Sequence, residues 1–166
     1  GGARQMLDGI DSMLSRATRA EWHQRVAWSF YIENRDADAY QVAQLAAQGE
    51  GPWVGEAWWT AGLAAWRLGD CAGAADAFTN TATRADNPEL AAAGYYWKSR
   101  ALMRCRKPEQ AAEALRGAAA RDETLYGMLA AEQLGMKLSE QHADADFSQA
   151  DWQQLRNAGN VRTALG

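Results

Sequence analysis

Two columns of residues recur along this chain at a fixed interval: Trp22, Trp59 and Tyr96 are spaced by 37 residues, and so are Ala37, Ala74 and Ala111. A period of roughly 20 to 50 residues marks stacked structural units, each too small to bury its own apolar face. Further columns keep the interval, with Arg25, Gly62 and Ser99, then Tyr40, Ala77 and Ala114, and with Phe78 and Leu115 close by. Each unit reads as a helix, a turn and a second helix.

Local signals agree. The 36 alanines among 166 residues keep helix propensity high and let helices approach closely. No stretch alternates β-branched or aromatic residues with polar ones as a strand would. Thr18-Arg19-Ala20-Glu21 has capping-box form and predicts a helix start. Asn87-Pro88-Glu89 sets a capping Asn before a proline at the first helical position, and Lys107-Pro108-Glu109 repeats the proline without the good cap. Gly49, Gly69 and Gly135 are expected to close helices. The expected layout is one helical domain over 1–166, with 1–17 ending a preceding helix, 18–121 forming three hairpins and 122–166 forming capping helices. Gly1-Gly2-Ala3 reads as the cut end of a segment from a longer chain.

A bulky aromatic on the first helix facing a small residue early in the second is similar to the tetratricopeptide pattern. Trp58, Gly62, Gly69-Asp70, Ala74 and Phe78 keep it best. This similarity implies an all-α fold, a right-handed superhelix of stacked antiparallel hairpins with a concave face. Trp22, Trp59 and Trp97, at or near the repeat period, are expected to pack in the core. Trp53 and Trp152 fall outside the register and are the candidates for exposed contacts.

Several chemistries find no support. A formal charge of -4 and a pI near 5.2 argue against a nucleic-acid partner, which needs a concentrated basic surface. No run approaches the ~18 consecutive apolar residues of a membrane span. Cys71 and Cys105 are too few for a disulfide framework or a four-ligand zinc site, and are open to either a single bridge or two free thiols. His23 and His142, read as surface histidines, stand in no nucleophile arrangement. His142, Asp144 and Asp146 lack a spacing that converges metal ligands, and no glycine-rich loop cradles a phosphate, so no cofactor is implied. Arg100, Arg104 and Lys107, spaced by four and three, form a basic stripe on one helix that either grips anions or is simply solvated.

From Leu125 to Gly135 the chain reads Leu-Tyr-Gly-Met-Leu-Ala-Ala-Glu-Gln-Leu-Gly. This resembles the helix that follows the superhelical region of soluble lytic transglycosylases of bacterial cell walls. Tyr95-Tyr96-Trp97 to Ala101 and Pro108 to Ala119 resemble that family's last hairpin, and Val161 to Gly166 the start of its next one. The resemblance covers roughly residues 55 to 166. It implies a periplasmic scaffold that carries no chemistry of its own, leads to a catalytic domain, and has peptidoglycan glycan strands or a periplasmic protein as partner. The family's catalytic glutamate stands in a Glu-Ser pair, and no Glu here is followed by Ser. Asn157-Ala158-Gly159 echoes an active-site tripeptide but follows Leu155-Arg156, where the family has Ala-Tyr. Tyr126 and Gly127 carry over as structural residues only, a packing knob and a close-contact site. The alternative is a tetratricopeptide-like adaptor that binds protein segments and has no link to the cell wall.

Overall fold

The computed structural model describes residues 2, 13–137 and 148–157. Among these the chain is all-helical: α1 (Arg16–Ile32), α2 (Asp36–Ala47), α3 (Trp53–Leu68), α4 (Cys71–Arg84), α5 (Pro88–Arg104), α6 (Pro108–Ala119), α7 (Leu125–Gln133) and α8 (Gln149–Asn157). From α1 to α7 each helix packs on the next, and short turns make neighbours antiparallel. α1 also meets α3 and α5 meets α7, while α3 and α5 touch more thinly. None of the helices among the described residues is long and apolar enough to cross a membrane.

One closing device ends α1, α3, α5 and α7. Asn34, Gly69, Arg106 and Gly135 adopt positive φ of 61°, 83°, 59° and 66°. The following amide then donates to the carbonyl five residues back, Arg35 to Phe30, Asp70 to Ala65, Lys107 to Leu102 and Met136 to Ala131, at 2.9 to 3.0 Å. These are Schellman closures, which satisfy carbonyls the helix leaves open. Gly49 acts differently: it follows α2 without positive φ, and a Cβ there would stand 2.6 Å from that of Ala20, so it permits a close approach to α1.

The closures set the true register. Asn34, Gly69 and Arg106 are separated by 35 and 37 residues, so the first unit is two residues out of step with the 37-residue columns. α2 has 12 residues where α4 has 14. The structural counterpart of Ala74 and Ala111 is therefore Ala39, and these three are 0%, 0% and 1% exposed. Ala37 lies exposed in the first turn of α2. The counterpart of Trp59 and Tyr96 is the buried Gln24, whose Nε2 donates to Thr60 Oγ1 at 3.0 Å. Trp22, expected in the core, is 48% exposed. Matching aromatics by interval alone could not detect that shift.

The core is a chain of small clusters. Ala27, Phe30, Val42 and Ala61 centre the first, Phe78, Leu102 and Ala111 the second, and Tyr96, Ala118 and Ala130 the third. Tyr40 joins the first to the second and Trp97 the second to the third. Half-buried Trp97 has ring neighbours Trp66 at 5.7 Å, Phe78 at 6.0 Å and Trp59 at 6.4 Å. Tyr96 meets half-buried Tyr126 at 5.2 Å, and its hydroxyl accepts from Gln133 Nε2 at 2.8 Å. Gly127 is buried, its amide donates to Thr124 Oγ1 at 2.9 Å, and a Cβ there would run into the Arg121 carbonyl oxygen.

Capping follows the sequence in part. Asn87 accepts from the Leu90 amide at 2.8 Å, whereas Lys107 makes no side-chain cap. The cap of α1 lies three residues before the expected Thr18, because Ser15 offers the same hydroxyl earlier and accepts from the Thr18 amide at 3.1 Å. Cys71, at the start of α4, is bridged to Cys105, the C-cap of α5, with Cα atoms 5.6 Å apart. His23 is buried, at 6% exposure, because it faces the joint between α1 and α2. Residues 1, 3–12, 138–147 and 158–166 lie outside the described residues, and with them His142, Asp144, Asp146, Ala158, Gly159 and the stretch from Val161.

Candidate functional site

Three adjoining hollows follow α1 and α3. The central one, about 320 Å³, is lined by Gln24, Arg25, Trp28, Trp53, Glu56 and Trp59. Arg25 also lines a second, with Trp22, Ser29, Phe30, Glu33 and Arg35. Trp53 and Glu56 also line a third, about 250 Å³, completed by Pro52, Asp86, Asn87 and Leu90. The result is one groove carrying four indoles, from Trp22 to the turn before α5.

Its walls follow from helical spacing. Trp22, Arg25 and Ser29 fall on one face of α1 at intervals of three and four, and Trp53 and Glu56 on one face of α3 at an interval of three. The direct contact of α1 with α3 turns these two faces into one groove. Trp22 and Trp28 are 48% and 40% exposed, whereas Trp53 and Trp59 are half-buried. Trp59 therefore serves both the core, 5.5 Å from Phe78, and the groove wall.

Most charges along the groove are matched. Arg25 Nε and Nη2 donate to Glu21 Oε1 at 3.0 and 2.8 Å, and its guanidinium lies 4.9 Å from the Trp53 ring centroid. Arg35 binds Asp38 at 2.7 Å and lies 4.2 Å from the Phe30 ring centroid. Glu56 and Asp86, by contrast, have no hydrogen bond or ion pair among the described residues. Burial without a partner pushes the Glu56 carboxyl above its ordinary value.

The basic stripe is not assembled. Lys107 lies beyond the end of α5, in the turn before α6, because Arg106 closes the helix at positive φ. Arg104 donates to the Trp66 carbonyl at 2.9 Å and stacks 4.9 Å from its ring centroid, while Arg100 lies 5.7 Å from that of Trp97. Arg67 repeats the Arg104 device one unit earlier, donating to the Tyr31 carbonyl at 2.7 Å, stacking 3.8 Å from its ring and pairing with Asp36. Arg67 and Arg104 are staples between units, whereas Arg100 stacks on a residue of its own helix. Trp152 is 46% exposed on α8 and is not among the residues that line the groove.

Trp28, Glu56 and Asp86 were not singled out by sequence, and Arg25 was read only as a member of a repeat column. The spacing of Trp22, Arg25 and Ser29 was available, but the neighbourhood of α1 and α3 was not. Among the described residues no three His, Cys, Asp or Glu side chains gather as a metal site would require. Set beside known protein families, curated proteins and solved structures, the chain matches none of them.

Proposed function

We propose that this chain is a binding and scaffolding module, a right-handed superhelix of stacked helical hairpins that holds a partner along the α1–α3 groove and carries out no chemistry itself. The observation that supports this is the gathering of Trp22, Trp28, Trp53 and Trp59 from two helices onto one groove. Indoles left partly in water offer broad apolar faces with a polar edge, suited to sugar rings or peptide side chains. On the resemblance of residues 125–135, the module belongs to a periplasmic lytic transglycosylase and its partner is peptidoglycan. The Cys71–Cys105 bridge is in keeping with an oxidising compartment, where disulfides persist.

Sedimentation with purified peptidoglycan sacculi tests this. The protein is expected to pellet with the sacculi, to release no soluble muropeptides, and to lose about tenfold in affinity on Trp28→Ala or Trp53→Ala. A folded protein left in the supernatant would overturn the cell-wall assignment, and released fragments would overturn the non-catalytic one. The second reading, an adaptor for protein segments, is favoured by the two unmatched carboxylates at one end of the groove. Retention of a protein partner that depends on Trp53, without sedimentation, selects it.

A further inference from the structure

The end of the groove beside α5 differs from the rest. Pro52, Trp53, Glu56, Asp86, Asn87 and Leu90 line it, so it has two carboxylates, an indole wall and no basic residue. The two arginines that line the groove are already paired with other acids: Arg25 with Glu21 at 2.8 Å, Arg35 with Asp38 at 2.7 Å and with Glu33 at 3.8 Å. Glu56 and Asp86 alone line the groove as acids without such a partner among the described residues.

Residues at the N-termini of α3 and α5 line this hollow, and each terminus brings roughly half a positive charge. Two ionised carboxylates outweigh them, leaving about one negative charge uncompensated. Glu56 is half-buried, so it has surrendered part of its water without gaining a donor among the described residues, and a cation brought here meets a carboxylate already partly desolvated. A neutral hydroxyl would hydrogen-bond but would leave the charge. Trp53 already carries one cation, the Arg25 guanidinium, near its ring, and an indole is the best aromatic platform for a second. The hollow also continues into two more indole-lined ones, so its occupant is a chain and not a single small amine.

We propose that this end of the groove receives a basic side chain, lysine or arginine, of an extended peptide segment. Its aliphatic stem lies along Trp53 and Leu90 and its cation is held by Glu56 and Asp86. This rests on reading the α1–α3 groove as a binding surface and names what occupies one end of it.

The test uses the whole chain and three capped pentapeptides, Ala-Ala-X-Ala-Ala, with X as lysine, acetyl-lysine or glutamate, followed by calorimetry and amide chemical shifts. The lysine peptide is expected to bind about tenfold more tightly than the acetylated one, and less tightly as salt rises. The double variant Glu56→Gln, Asp86→Asn should erase that preference while its helical circular dichroism is unchanged. Equal binding of lysine and acetyl-lysine peptides, or no binding of either by folded protein, overturns the proposal. So does a chitin oligosaccharide that binds the groove with an affinity indifferent to the double variant, which would assign this end to neutral sugars. If the peptides fail while Trp53→Ala still lowers sacculus binding, the basic side chain is wrong and the groove reading stands.

Discussion

The ring of Phe78 on α4 fills the space in front of Gly62 on α3: a Cβ built on Gly62 would stand 2.5 Å from Phe78 Cε1. Phe78 is 0% exposed, so neither side can yield without disturbing the joint between the two helices. Gly62→Ala is expected to destabilise the fold by about 1 to 3 kcal/mol through overpacking. Phe78→Ala should cost about 3 to 5 kcal/mol through the cavity it leaves. Urea titration of both variants measures this, and a Gly62→Ala protein as stable as the parent would remove the knob from the account.

The bridge between Cys71 and Cys105 closes a loop with a sequence separation of 34 residues between two neighbouring helices. In the chain-entropy treatment, constraint of the unfolded chain by a loop of that size contributes about 3 to 4 kcal/mol. Thiol reduction, or Cys71→Ser with Cys105→Ser, should therefore lower the denaturation midpoint by a corresponding amount while helicity persists. A midpoint insensitive to reductant would count against the bridge.

Gln24 and Thr60 form a hydrogen bond inside the joint between α1 and α3, at 3.0 Å and with both residues buried. Thr60→Val keeps the shape and strands the Gln24 amide, an expected loss of about 1 to 3 kcal/mol. Because the Gln24 carbonyl oxygen has no partner even in the parent, Gln24→Leu combined with Thr60→Val should recover much of that loss. Additive losses in the double variant would contradict this pairing.

Arg67 and Arg104 occupy equivalent places two residues before their closing turns, and each grips the aromatic residue and carbonyl of the preceding unit. Lysine can supply the charge but not the flat fork that both stacks and donates. Arg67→Lys should cost about 1 kcal/mol or more, since a charge-assisted bond to a carbonyl is lost with the stacking. A thermal midpoint unchanged in Arg67→Lys would reduce the staple to a surface ornament.

Burial raises the Glu56 carboxyl, so the folded state holds its proton to higher pH than the unfolded state does. Stability from this group is present below the unfolded carboxylate value and falls as pH rises through the raised folded value. Glu56→Gln should accordingly raise the thermal midpoint at neutral pH, with the gain shrinking toward acid pH. The opposite slope would show that Glu56 is stabilised in its charged form.

How much of this was legible from sequence varies with the kind of interaction. Alanine content, the prolines at Pro88 and Pro108, the Asn87 cap and the closing glycines Gly69 and Gly135 act within a few residues, and they determined an all-helical chain of hairpins. Gly62 and Phe78 were both marked by the repeat pattern, but that pattern set the aromatic on the first helix against a small residue of the second, and the pairing of Gly62 on α3 with Phe78 on α4 runs the other way. The register of the first unit was not. Asn34 and Arg106 adopt positive φ without being glycine, so two of the three turns that define the repeat carried no glycine signal, and intervals between aromatic residues put Trp22 in the core and Ala37 in a joint. The groove was equally hidden. Glu56 and Asp86 are ordinary surface acids in sequence, and only the packing of α1 on α3, with the α4–α5 turn alongside, sets them among indoles with arginine spent on other acids. Local chemistry decides where a helix begins and ends; which faces meet, and which charges remain unmatched there, is decided by contacts between units that no interval along the chain records.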